Sequence, residues 1–68
     1  MGASYNKLFK LLIDKKMKKG ELCEQAEISG TTLSKMAKGE NVTADVLVKI
    51  CRVLECNIGD IMDIEHNN

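Results

Sequence analysis

The sequence predicts an all-α domain built from five short helices. Three observations predict it. Apolar residues recur at i, i+3, i+4 and i+7 in several windows, the spacing of one helix face. Proline is absent. No long β-branched alternation occurs, and neither Asn-Gly nor Asp-Gly is present to turn a hairpin. The 68 residues fit one domain, residues 1–68. A chain this short buries only about 60% of its unfolded surface. Tyr5 and Phe9 are its only aromatics, so the small core is expected to be aliphatic.

The first helix is expected over residues 4–16, with Met1 to Ala3 irregular before it. Ser4 suits the N-cap, and Tyr5, Leu8, Phe9 and Leu12 form the apolar face. Leu11 and Ile13 widen that face, while Lys7, Lys10 and Asp14 point outward. Lys15 and Lys16 are favourable near a helix C-terminus. The second helix is expected over 18–26, with Leu22, Cys23 and Ala26 as its packing positions. Glu21 stands where a capping box needs it, although Lys18 replaces the usual Ser or Thr. Lys18 and Lys19 sit where helix N-terminal N–H groups and ammonium charges could together attract a phosphate.

A tight break at Glu27-Ile28-Ser29 separates this helix from a third, expected over 29–38 and stopped by Gly39. Ile28 is the apolar plug between the two, and Ser29 is the N-cap. At about 100° per residue, Leu33, Met36 and Ala37 fall together and point inward. Thr31, Ser34, Lys35 and Lys38 fall on the opposite side, with Gly30 at the helix start. That outer face carries no acid and offers hydroxyls, a methyl on Thr31 and ammonium groups, which suit base edges or phosphate. Residues 18–39 thus read as a helix-turn-helix unit, whose second helix can enter a DNA major groove.

Glu40-Asn41-Val42 is a loop. Thr43 caps a fourth helix, over 43–55, with Leu47, Ile50, Cys51 and Leu54 on one face. Val46, Val48 and Val53 spread its apolar surface over more than half its girth. The surplus is either wrapped by the first and last helices or used against another chain. Asn57 and Asp60 open a fifth short helix over 57–63, with Ile58, Ile61 and Met62 apolar and Ile64 extending the stripe. This C-terminal pattern points to a homodimer through the fifth helix and the C-terminal tail, with closure of the core as the alternative.

Several function classes lose support. No apolar run reaches the length of a membrane span, about 18 residues, and no signal-peptide pattern is seen. Asn6 stands where a myristoylation motif wants Ser or Thr. Cytoplasmic residence is the expectation. Cys23, Cys51 and Cys56 match no zinc or redox spacing, and Cys23 and Cys51 read as small core hydrophobes. His66 is alone in the tail, so neither a metal site nor a catalytic set is expected, and no cofactor or small-molecule ligand either. The formal net charge is zero but unevenly spread. Residues 1–39 hold eight lysines against four acids, a balance of +4; residues 40–68 hold two basic residues against six acids, a balance of −4. Such asymmetry points to a charged partner on one side.

The chain resembles the Cro and phage-repressor type of helix-turn-helix proteins, the lambda-repressor-like DNA-binding domains. Leu22-Cys23, Ile28-Ser29, Thr32-Leu33-Ser34, Lys38-Gly39, Leu47 to Leu54 and Ile58-Gly59-Asp60-Ile61 carry the resemblance. The run VLVKICRVLECNIGDIM is similar to the family's small stand-alone regulators. The resemblance implies a compact five-helix domain with the third helix in the major groove. It implies base reading by Gly30, Thr31 and Thr32, with Lys35 one turn later, beside Ser34 on the same outward face. It implies phosphate contacts from Lys18 and Lys19; Ser29, Lys38 and Asn41 are further phosphate candidates. The chain departs from the pattern at Lys19, often Gln in the family, and at Glu27, often Gly. The expected function is sequence-specific binding of double-stranded DNA by a homodimeric transcriptional regulator that acts by occupying its operator. The alternative is a protein-interaction module, such as an antitoxin or adaptor subunit, that keeps the fold.

Overall fold

The computed structural model describes residues 2–65. Its elements are β1 (Gly2–Ser4), α1 (Asn6–Asp14), α2 (Lys19–Ala26), α3 (Gly30–Ala37), α4 (Ala44–Leu54), a 3-10 turn (Ile58–Asp60) and β2 (Asp63–Glu65). Met1 and His66 lie outside the described residues. Among the described residues four α-helices are present where five are expected, and a small sheet joins the segment before the first helix to the C-terminal segment.

The expected fifth helix over 57–63 is replaced by the 3-10 turn and β2. The reason is local. The Asp60 carboxylate accepts the Asn57 N–H at 3.0 Å and starts a helical turn. Gly59 then disfavours propagation, and so short a helix is marginal without it. Ile61 has left helical geometry, at φ −121°, and the following residues find strand partners instead. β2 pairs antiparallel with β1, in the register Gly2 with Glu65, Ala3 with Ile64 and Ser4 with Asp63. The expected irregular start is therefore a strand, and Ala3 is buried. Ser4 does not cap α1 over the expected range: its Oγ accepts a long bond from the Asn6 N–H at 3.5 Å, and Tyr5 holds the N-cap position without a side-chain cap.

The core gathers Tyr5, Leu8 and Leu12 from α1's side, Leu22 and Ala26 from α2, Leu33 and Met36 from α3, and Leu47, Ile50 and Leu54 from α4. Ile61 joins them and is fully buried, so this part of the C-terminal stripe closes the core. Ile13, expected to widen the apolar face of α1, is 75% exposed because it falls at the helix end beyond the packing stripe. Ala37, expected inward, is exposed on the last turn of α3. Lys7 ties α1 to the C-terminal segment, with an ion pair to Asp63 at 3.1 Å and a bond donated to the Gly59 carbonyl at 3.2 Å.

All four helices end the same way. A residue in left-handed conformation follows each (Lys16, Glu27, Gly39 and Glu55), and the next N–H returns to a carbonyl five residues back. The pairs are Met17 to Leu12, Ile28 to Cys23, Glu40 to Lys35 and Cys56 to Cys51, at 2.9–3.0 Å. This is the Schellman ending, which satisfies carbonyls the helix leaves unpaired. Only Gly39 adopts the conformation without strain from a Cβ, and there a Cβ would also meet the Ala3 carbonyl oxygen at 3.0 Å.

Two substitutions of opposite sign follow from these endings. Gly39→Ala should cost at least about 1–2 kcal/mol, the left-handed penalty plus the close approach of β1. Glu55→Gly should gain about 0.5–1 kcal/mol, the relieved penalty less the added freedom of the unfolded chain. Urea unfolding of both variants checks the signs.

Candidate nucleic-acid interface

The corner between α2 and α3 is made by three residues with distinct jobs. Glu27 takes the left-handed conformation at φ 56° that a glycine would adopt more easily. Ile28 follows with its N–H on the Cys23 carbonyl and its side chain half-buried against the core. The Cys23 thiol donates a weak bond to the Ser29 carbonyl at 3.9 Å. Ser29 is extended, and its Oγ accepts the Thr32 N–H at 3.1 Å, which caps α3.

This corner projects α3 with Leu33 and Met36 inward and Thr31, Ser34 and Lys35 exposed. No acid lies on α3. The other candidates distribute along its two flanks. On one side a groove of about 230 Å³ is lined by Lys19, Gly20, Gly30, Ser34 and Ala37, with Phe9 and Leu33 among its walls. On the other a groove of about 280 Å³ is lined by Thr32, Lys35, Asn41 and Thr43 with Val42 and Val46. Lys18 is exposed just before α2, its N–H held by the Glu21 carboxylate at 3.3 Å. Lys38 is exposed past the last turn of α3, towards the β1 end of the molecule, and lines a separate depression with Ser4 and Glu65. The structure thus brings Lys19, Gly30 and Ser34 to one flank and Thr32, Lys35 and Asn41 to the other, and sets Lys38 apart.

Two candidates are engaged internally. The Thr32 hydroxyl lies 2.9 Å from the Ser29 hydroxyl, within the cap itself. Ser29 and Thr32 therefore build α3 as well as facing outward. One contributor was not legible from spacing: Phe9. The Lys19 ammonium lies 5.1 Å from the centre of its ring, an attraction between cation and π face at the wall of the groove that both line. Phe9 lies ten residues upstream, and only the packing of α1 beside α2 brings the pair together. No group of three or more His, Cys, Asp or Glu side chains among the described residues could hold a metal ion. Among the described residues no helix is long and apolar enough to cross a membrane.

Two helices joined by a left-handed corner, the second presenting an acid-free exposed face, define a helix-turn-helix domain. Residues 7–67 match the family model of the Cro/C1-type helix-turn-helix DNA-binding domain, and the chain belongs to that family. A solved structure similar to it is the crystal structure of the transcriptional regulator VanUg, form II. The two share 50% sequence identity with a TM-score of 0.91, over 97% of this chain and 88% of that one. No curated protein matches the chain.

Removing the cap hydroxyl should loosen the start of α3. Ser29→Ala should cost about 0.5–2 kcal/mol, the usual range for an N-cap, read as a lower urea midpoint with an unchanged slope.

Proposed function

We propose that this chain is a transcriptional regulator that binds a specific double-stranded DNA operator, with α3 in the major groove, and acts by occupying that site. The observation that carries the reading is the acid-free outer face of α3, exposed at Thr31, Ser34 and Lys35 and flanked by Lys19 and Asn41. Family membership and the likeness to a transcriptional regulator support it. Lys35 and Thr31 read base edges, one through its ammonium and the other through its hydroxyl and methyl. Ser34 and Thr32 add hydroxyl contacts beside them, and Gly30 lets backbone come close. Lys18, Lys19 and Asn41 bond phosphates, which fixes register without reading sequence. Ser29 and Lys38 contribute phosphate contacts at the two ends of α3.

The protein works as a homodimer on two half-sites, about one helical turn or 34–36 Å apart. Exposed Val48, Ile58 and Ile64, at 49%, 50% and 55%, supply apolar surface for a second copy. Ile61 is spent in the core, so it contributes nothing to that contact. The same surface would suit a protein partner, and a pure interaction module would keep it while failing to bind duplex DNA.

Selection of bound duplexes from a random pool identifies the operator. On that operator, Lys35→Ala should relax sequence preference and cost about 1–3 kcal/mol of discrimination. Lys19→Ala should weaken all duplexes alike and reduce the slope of log affinity against log salt by about 0.9. Anisotropy titrations at several salt concentrations read both. Failure of selection to enrich any duplex, with no binding at micromolar protein and low salt, favours the interaction module.

A further inference from the structure

The turn after α4 holds a feature that DNA binding does not use. Cys51 and Cys56 occupy the two positions that the Schellman ending brings side by side, the third residue before the helix end and the second beyond the last cap. Glu55 between them is left-handed, at φ 52°, and the Cys56 N–H bonds the Cys51 carbonyl at 3.0 Å. Both thiols are free, half-buried and on the wall of one open cavity of about 290 Å³, with Leu47, Val48, Arg52, Asn57 and Ile58 around them. The equivalent pairs at the other helix ends are Leu12 with Met17, Cys23 with Ile28 and Lys35 with Glu40. Only the α4 ending sets thiol against thiol.

We propose that Cys51 and Cys56 are a redox-modification site, closing to a reversible intrachain disulfide when the protein meets a low-molecular-weight disulfide. The Cys51 thiolate attacks one sulfur of the reagent, breaking its S–S bond, forming a mixed disulfide and releasing one thiolate. Cys56 loses its proton to solvent and attacks the Cys51 sulfur, expelling the second thiolate. Both released thiolates are protonated in water. Two protein thiols are oxidised by two electrons, and one reagent disulfide is reduced to two thiols.

The roles follow from the surroundings. Burial first, then the charge of the Cys51 sulfur and a hydrogen bond with it, push the Cys56 thiol up to about 11; Asp60 adds to this and Lys15 opposes it. Cys56 therefore stays protonated beside its neighbour and serves as the resolving thiol. Once Cys51 carries the mixed disulfide, its sulfur can no longer repel a second thiolate, and burial is the largest restraint left on Cys56. Cys23 is a built-in control. It donates to the Ser29 carbonyl at 3.9 Å, and its partner across the turn is Ile28, which has no thiol.

The test uses the full chain, folded, with cystamine as the probe. The expected product has lost two hydrogens in intact mass, leaves one titratable thiol, and yields a peptide linking Cys51 to Cys56. Dithiothreitol should restore three thiols. The oxidised form should unfold at a higher temperature than the reduced one, since the bridge tightens the α4 ending. In Cys56→Ala the reaction should stop at the mixed disulfide on Cys51, accumulating roughly tenfold more of it than the unaltered protein, because the intramolecular second step is lost. In urea, where folding no longer selects the pair, bridges to Cys23 should appear as well. The proposal is overturned if the folded protein keeps three thiols, stops at mixed disulfides, or forms bridges only between chains or to Cys23. These readouts need no DNA, so they stand or fall separately from the proposed operator binding, although Val48 and Ile58 border both this cavity and the surface proposed for a second copy.

Discussion

The left-handed turn at Glu27 is the constraint on which the rest of the molecule depends. It sets how α3 leaves α2, and α3 carries the face that would meet DNA. A Cβ in this conformation costs roughly 1–2 kcal/mol. The surroundings hold it in place: Ile28 is drawn into the core, its N–H is satisfied by Cys23, and Ser29 caps the next helix. Were the corner to relax, Leu33 and Met36 would lose their inward aim together with the outward aim of Thr31 and Lys35. The scaffold and the face proposed to read DNA are thus two sides of one geometry.

Charge is organised around the same face. The zero net charge conceals a division, because the acids concentrate in the C-terminal half of the chain. Lys7 is engaged by Asp63 and Lys49 by Asp45. Lys18, Lys19, Lys35 and Lys38 make no ion pair among the described residues, and they surround α2's start and α3. Exposed cations of this kind contribute little to stability. In the proposed function they act through the field they present to a polyanion, which reaches over a distance and weakens with salt.

Much of the fold was legible in the sequence, for physical reasons that differ by element. α4 was plain because its stripe from Leu47 to Leu54 is long, apolar and capped by Thr43, whose Oγ accepts the Val46 N–H at 3.4 Å. Ser29 announced α3 in the same way. The sheet was invisible because each strand is three residues long and its partner lies some sixty residues away; no local pattern encodes such a pairing. The C-terminal segment misled because Ile58, Ile61 and Met62 have helical spacing, while Gly59 and the β-branched isoleucines favour a brief turn and a strand. On the site, exposure and grouping of Thr31, Ser34 and Lys35 were readable from the angle per residue. The internal use of the Thr32 hydroxyl and the contact of Lys19 with Phe9 were not, because both depend on distances set by folding.

The most direct test of docking through α3 is a residue-resolved titration. Backbone amide chemical shifts of the protein would be followed by NMR as a selected operator duplex is added. Docking as described places the largest changes at Gly30 to Lys35 and at Lys18 and Lys19, with a smaller set at Asn41. Changes centred instead on the outer face of α4 and the 3-10 turn, with α3 undisturbed, would contradict it.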